Sequence, residues 1–218
     1  MAFPTVNAPY GLKPINLYGG TPFAGATRQY RIASAYNTSI FYGDPIEMIN
    51  DGTIIKSAIT TARATVTTSQ IIGVFLGCSY VNSQGQTIFA QYFPANTAAP
   101  TGTYITAYVS NDPDTLFKAV IATGATANDA TSGLLPSSTT EFTVIGTNVA
   151  LVQNSGLTNT GNSRVAVASS ATTGTLPMNV VDVVYETSYV NGSGNVVYPE
   201  IIVRWNFEIH TTTIASGV

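Results

Sequence analysis

The sequence predicts an all-β protein: a small β-barrel or β-sandwich body behind an extended Pro/Gly-rich N-terminal arm. A second, smaller β-rich lobe with a short helix is allowed for. Three observations carry this. Residues 71–93 read IIGVFLGCSYVNSQGQTIFAQYF, two apolar runs around the polar span Asn82-Ser83-Gln84-Gly85-Gln86, the pattern of a β-hairpin. Residues 201–211 alternate, with Ile201, Val203 and Trp205 on one face and Ile202, Arg204 and Asn206 on the other. Thr (32 residues) and Asn (16) supply the polar side chains while only 9% of residues are charged, against about 25% in an ordinary globular chain. A surface so poor in charge repels its own copies weakly and tolerates close packing in an assembly.

Residues 1–27 are read as the arm. Pro4, Pro9, Pro14 and Pro22 exclude a regular helix and interrupt strand ladders. Phe3, Tyr10, Leu12, Ile15, Leu17, Tyr18 and Phe23 sit among them, more apolar surface than a free tail carries. They are expected to lie on the body or, by preference, on a neighbouring subunit.

Residues 28–122 are read as the barrel or meander body. Short alternating runs fall at 28–33, 46–49, 53–58, 71–81, 87–93, 104–109 and 116–122. Asn50-Asp51-Gly52 and Asn111-Asp112-Pro113-Asp114 are turn signals between them. On the central strand, strict alternation places Ile71, Gly73, Phe75, Gly77 and Ser79 on one face and Ile72, Val74, Leu76, Cys78 and Tyr80 on the other. Both faces are mainly apolar, so both need cover. Residues 123–175 are read as a Gly/Ser/Thr-rich insertion or second lobe, with one helical turn at 148–152 capped by Asn148. Residues 176–218 are read as C-terminal strands that complete the body, with a hairpin through Asn191-Gly192-Ser193-Gly194-Asn195.

The chemistry-bearing residues form no convincing catalytic set. His210 is the sole histidine, and with Glu208 it falls short of the three or four ligands a metal site needs. Asp44, Asp51, Asp112 and Asp114 each precede or follow Pro or Gly in turn contexts, where capping is the ordinary role. No serine lies in a nucleophile-elbow context, and no phosphate-binding or dinucleotide fingerprint occurs. Cys78, the single cysteine, reads as a buried, inert thiol. A net charge of −3 with five dispersed arginines argues against general nucleic-acid binding. No apolar run reaches membrane-spanning length, and the N-terminus lacks the basic and apolar regions of a secretion signal. No enzyme, cofactor or metal is expected, and neither nucleic acid nor a membrane is expected as a partner.

Four stretches together carry a resemblance: NAPYGLKPINLYGGTPFAGATRQYRIASAYNTSIFYGDPIEMINDGTI, IIGVFLGCSY, QTIFAQYFPANT and AYVSNDPDTLFKAV. They span roughly residues 7–120. GTNVALVQNSG matches more loosely beyond. In this order they resemble a family of small structural proteins from the virions of tailed phages, mostly of aquatic bacteria. The resemblance implies a capsid decoration or cement protein on the outer surface of the head, trimeric in some relatives and clamping major capsid protein subunits. Under it, Tyr10, Leu12, Ile15, Leu17, Tyr18 and Phe23 are expected to contact the coat, with Arg28 and Arg31 docking on an acidic coat surface. A tail or neck component, or a carbohydrate-binding attachment module using Tyr36, Tyr42 and Tyr198, are the competing expectations.

Overall fold

The structure, a computed structural model, describes residues 8–60, 70–122, 144–171, 176–184, 189–190, 196–197 and 200–206. The all-β expectation holds. Fourteen strands are described: β1 (Lys13–Leu17), β2 (Arg28–Ile32), β3 (Pro45–Met48), β4 (Ile54–Lys56), β5 (Gln70–Val81), β6 (Thr87–Ala90), β7 (Ile105–Ser110), β8 (Thr115–Val120), β9 (Asn148–Val152), β10 (Ala166–Ala171), β11 (Met178–Val184), β12 (Tyr189–Val190), β13 (Val196–Val197) and β14 (Glu200–Trp205). They form two antiparallel sheets packed together as a sandwich, plus the small β12–β13 hairpin.

Each sheet also rolls up on itself. One has the order β2-β7-β5-β3-β4, with β6 alongside β5, and a parallel bridge between Arg31 and Thr53 brings β4 back to β2. The inside of this roll is apolar: Ile32, Ile46, Ile54, Phe75, Ile105 and Val109 are buried there, one or more from each of the five strands. The other sheet has the order β1-β8-β14-β11-β9-β10. Ile121 bridges Val167 in parallel, and the Ala122 N–H donates to the Val167 carbonyl at 3.1 Å, so β10 returns to β8. Its inside holds Phe117, Leu151, Met178, Val180, Ile201 and Val203. Ile71, Val74 and Leu76 of β5 pack on this second cluster and join the two rolls.

The two rolls have the same topology. Taking five strands of each in chain order, the first in sequence lies beside the fifth, then the fourth, second and third, and the third meets the first in parallel. Thus β2, β3, β4, β5 and β7 correspond to β8, β9, β10, β11 and β14. Each half also inserts a hairpin between its fourth and fifth strands. Tyr80 pairs with Ile88 and Val81 with Thr87; Tyr189 pairs with Val197 and Val190 with Val196. The register is identical at an offset of 109 residues. The sequence repeats there too: Ser79-Tyr80-Val81-Asn82 followed by Gly85, and Ser188-Tyr189-Val190-Asn191 followed by Gly194. Among the described residues the chain therefore builds one five-stranded topology twice.

Four expectations change. First, residues 148–152 are strand β9, not a helical turn. Val149, Ala150 and Leu151 are buried, and β9 pairs with β10 on one side and β11 on the other. Tertiary pairing outweighs local propensity here, and Asn148 accepts a cross-strand bond from Asn179 Nδ2 at 3.0 Å instead of capping a helix. Second, the described part of 123–175 is no separate lobe, because β9 and β10 belong to the same sheet as β11 and β14. Third, the unit boundary falls between β7 and β8, so residues 28–122 do not form one body.

Fourth, β5 does not alternate strictly. Ile72, Phe75, Cys78 and Tyr80 share the first core, while Ile71, Val74 and Leu76 face the second. The pairing slips by one residue against β3 between Ile71 and Gly73, and again against β7 between Phe75 and Gly77. These are β-bulges, each of which turns the following side chains to the opposite face. Gly73 and Gly77 take positive φ values of 156° and 145° at those points.

Candidate interaction surface

The arm residues separate into those that fold back on their own chain and those that stay at the surface. Leu12 is fully buried in the second core. Its N–H donates to the Gly43 carbonyl at 3.0 Å, and the Gly11 N–H donates to the Val165 carbonyl at 3.1 Å. Gly11 has φ 85°, and a Cβ there would lie 2.6 Å from that of Ser163. Only glycine lets the chain thread this gap between the two rolls.

Tyr10 is half-buried against Val120, Ala122 and Ala166. Its hydroxyl donates to Glu200 Oε1, which also pairs with Lys118 Nζ at 3.1 Å, and Lys13 Nζ lies 4.2 Å from the Tyr10 ring centre. Burial, reinforced by Glu200, pushes the Tyr10 phenol well above its ordinary range. Burial and the nearby Lys118 charge lower the Lys13 ammonium, with Glu200 acting against them. Ile15 and Leu17 are half-buried in β1, which pairs with β8. Phe23, also half-buried, donates its N–H to the Ile15 carbonyl at 3.2 Å as residues 21–23 double back along β1. Tyr10 and Leu12 therefore pack in cis, which corrects their expected use as anchors on a neighbour, while Ile15, Leu17 and Phe23 keep part of their surface exposed. The reason is the path of residues 10–12 between the two rolls, where Tyr10 meets Val120 and Ala166 and Leu12 enters the second core.

The surface set is different. Tyr18 is 57% exposed, with the Arg204 guanidinium 4.7 Å from its ring centre. Arg28 and Arg31 are exposed on β2. Arg31 stacks at 3.7 Å on Tyr104, itself 62% exposed, so the structure brings together an arginine and a tyrosine far apart in sequence. Phe89 on β6 is 75% exposed and borders a shallow groove of about 580 Å³, lined also by Tyr42, Leu76, Gly77, Gln91 and Tyr108. No charged residue lines it. Sequence reasoning gave neither Tyr104 nor Phe89 a role at the surface. The signal for Phe89 was the β6 alternation, which puts Thr87 and Phe89 outward and Ile88 and Ala90 inward.

The carboxylates are not brought together for catalysis. Asp51 Oδ1 accepts from the Thr53 N–H at 2.8 Å and Asp112 Oδ1 from the Asp114 N–H at 2.9 Å, both turn caps. Asp44 is the exception in setting. It is fully buried, accepting from Phe41 N–H at 2.9 Å and Ser163 Oγ at 2.5 Å, and pairs with Lys56 Nζ at 3.1 Å. Burial pushes its carboxyl above the ordinary range, while Lys56, Ser163 and Phe41 pull it back. Among the described residues no three His, Cys, Asp or Glu side chains gather as a metal site would require. Glu208, His210 and Tyr198 lie outside the described residues. Tyr36 stacks on Phe93 with its hydroxyl accepting from the Lys56 N–H, so it is part of the interior packing, not of an open sugar platform.

Comparisons with protein-family models, with curated proteins and with solved structures found no match to this chain.

Proposed function

We propose that this protein is a non-enzymatic structural component of a tailed-phage virion, of the capsid decoration or cement type. It acts on the outer surface of the head, as a homotrimer, and bridges subunits of the major capsid protein. The resemblance of residues 7–120 to such proteins motivates the reading. The observation that carries its mechanism is the exposed Arg31–Tyr104 stack, with Arg28 on the same strand. Tyrosine and arginine dominate protein interfaces, because each offers a large contact area and a polar tip. Stacking on Tyr104 holds the Arg31 fork before a partner arrives, which reduces the ordering cost of docking on an acidic coat surface. Both residues sit on a doubly rolled body with filled cores, a suitable strut between coat subunits. Docking thus moves from the first half of the arm to Tyr18, Arg28, Arg31 and Tyr104.

Retention on purified heads of the parent phage tests this. An Arg31→Ala/Tyr104→Ala double variant is expected to fold normally and bind roughly a hundredfold more weakly, the loss of about 3 kcal/mol at an interface centre. Occupancy equal to that of the unaltered protein would overturn the mechanism. Deleting residues 2–25 would not be a clean test, because it also removes Leu12 from the core and β1 from its sheet.

A further inference from the structure

On the outer face of the first roll, β5 runs between β6 and β7. Its pairing sets Gly77 opposite Tyr108 of β7 and Ser79 opposite Phe89 of β6. Neighbouring strands lie about 4.8 Å apart, so β6 and β7 stand about 10 Å apart across β5. Both aromatic side chains point outward, and Gly77 puts no side chain between them. The shallow groove of about 580 Å³ opens there, over the sheet face and not at its edge. Phe89 is 75% exposed, and nothing in the packing of either core uses its ring.

The polar groups around these rings are held in place. The Tyr108 hydroxyl shares a hydrogen bond with Ser79 Oγ at 3.2 Å, so the Tyr108 ring reaches from β7 across to β5. On the β6 side, Gln91 Nε2 donates to Asn162 Oδ1 at 2.8 Å. Asn162 is fixed in turn by its bridge to Tyr42, whose N–H donates to the Gly161 carbonyl at 3.0 Å and whose carbonyl accepts from Ser163 at 2.9 Å. The amide pair leaves one acceptor, Gln91 Oε1, and one donor, Asn162 Nδ2, for a ligand. Two rings, two hydroxyls and two amides thus meet at one place, and among the described residues no charged side chain lines it.

That chemistry selects among ligands. A phosphate or an acidic sugar would lose water here with no cation to replace it. A wholly apolar partner would leave the amides and hydroxyls without acceptors and donors. An added peptide strand lies along a sheet edge, not over its face. A hexose ring has the matching two-sidedness: a face of C–H groups that stacks on an aromatic ring, and a rim of hydroxyls that both donate and accept. We propose that this groove is a binding site for an uncharged, hexose-built polysaccharide. Phe89 and Tyr108 stack on sugar rings, and Gln91 and Asn162 bond their hydroxyls. The groove is open along the surface, so it takes a stretch of a polymer and not a single enclosed sugar. The site does not depend on the capsid reading. Tyr104 precedes Tyr108 by four residues, about 13 Å along the strand, so the Arg31–Tyr104 stack is a separate patch.

The purified full-length chain is run through native gels cast with dextran, laminarin, galactomannan or pullulan, and with alginate as an acidic control. At least one of the four neutral polymers is expected to retard it, and alginate is not. Phe89→Ala and Tyr108→Ala are each expected to weaken that binding roughly tenfold, the loss of one stacked ring. Gln91→Ala is expected to weaken it about fivefold, the loss of one hydrogen bond. Phe89→Tyr keeps the ring and is expected to keep binding. Arg31→Ala/Tyr104→Ala is expected to bind the polymer as the unaltered chain does. Phe89 is exposed, so Phe89→Ala is expected to leave circular dichroism unchanged and keeps the test valid should Tyr108→Ala fold poorly. Failure of all four neutral polymers to retard the chain would overturn the proposal, as would retardation that Phe89→Ala leaves intact or stronger retardation by alginate. Sedimentation without sugar is the remaining check. A concentration-dependent oligomer that Phe89→Ala abolishes would assign the groove to a second copy of the chain and overturn the polysaccharide site.

Discussion

Cys78 is 1% exposed, its thiol facing the Tyr92 carbonyl at 3.6 Å inside the first core. Burial pushes its pKa from an ordinary 9.0 up to about 12. The folded chain therefore keeps a proton that the unfolded chain loses between those values. The stabilisation is complete below pH 9 and declines as pH rises towards 12. By pH 10 the loss comes to about 1.4 kcal/mol. Tyr10, also raised, adds a smaller loss that begins near its ordinary pKa of 10.0. Urea unfolding at pH 8 and pH 10 is expected to show this drop in the unaltered protein. Most of it should vanish in Cys78→Ala, even though that variant starts out less stable. Equal drops in both would refute the assignment. The buried thiol was legible because its neighbours Phe75, Leu76 and Tyr80 are apolar. The fate of Leu12 was not: an apolar side chain in a Pro/Gly-rich stretch fits its own core and a neighbour's groove equally well, until the gap between Gly43 and Val165 is known.

At the scale of elements, β5 shows where period-two reading stops. Its existence, its length and its hairpin follow from an apolar run, a polar turn and a second apolar run. Its faces do not, because two bulges reset the alternation. Gly73 is where the reset is tightest: a Cβ there would lie 2.2 Å from the Ser110 carbonyl oxygen and 2.9 Å from Val109 Cγ1. Gly73→Ala is expected to cost about 3 kcal/mol or more, since backbone of β7 must move. Gly85 also has positive φ, 78°, but an added Cβ meets nothing within 4 Å. Gly85→Ala is expected to cost only about 1 kcal/mol of backbone strain. Urea midpoints compare the two, and equal losses would mean that close approach to β7 does not govern Gly73. The β9 misreading has a related origin. A short Asn-Val-Ala-Leu-Val run satisfies one helical turn or one strand, and only the flanking partners β10 and β11 decide.

The whole molecule hides its main regularity from a first reading. The two rolls share strand order and hairpin register, while the matched hairpins share residue identity in the Ser-Tyr-Val-Asn and following Gly positions. Strand order depends on which chains pair, and a fold tolerates almost any apolar residue at an inward position, so topology outlasts sequence. Joining two such rolls also makes them interdependent. Asp44, at the start of β3 in the first, accepts from Ser163 just before β10 in the second, while Val74 of β5 enters the second core. Removing the carboxylate leaves the largely buried Lys56 ammonium and the Ser163 and Phe41 donors without their acceptor. Asp44→Ala is expected to destabilise by about 3–5 kcal/mol, the usual result of breaking one side of a buried pair. Trp205, the sole tryptophan, lies in the second core against Phe117 and reports on that half alone. Its fluorescence transition is expected to coincide with the loss of far-ultraviolet circular dichroism in the unaltered chain. Both should fall together in Asp44→Ala, as one cooperative unit requires. A tryptophan transition that stays in place while the dichroism shifts would mean that the halves unfold independently and that Asp44 serves only its own roll.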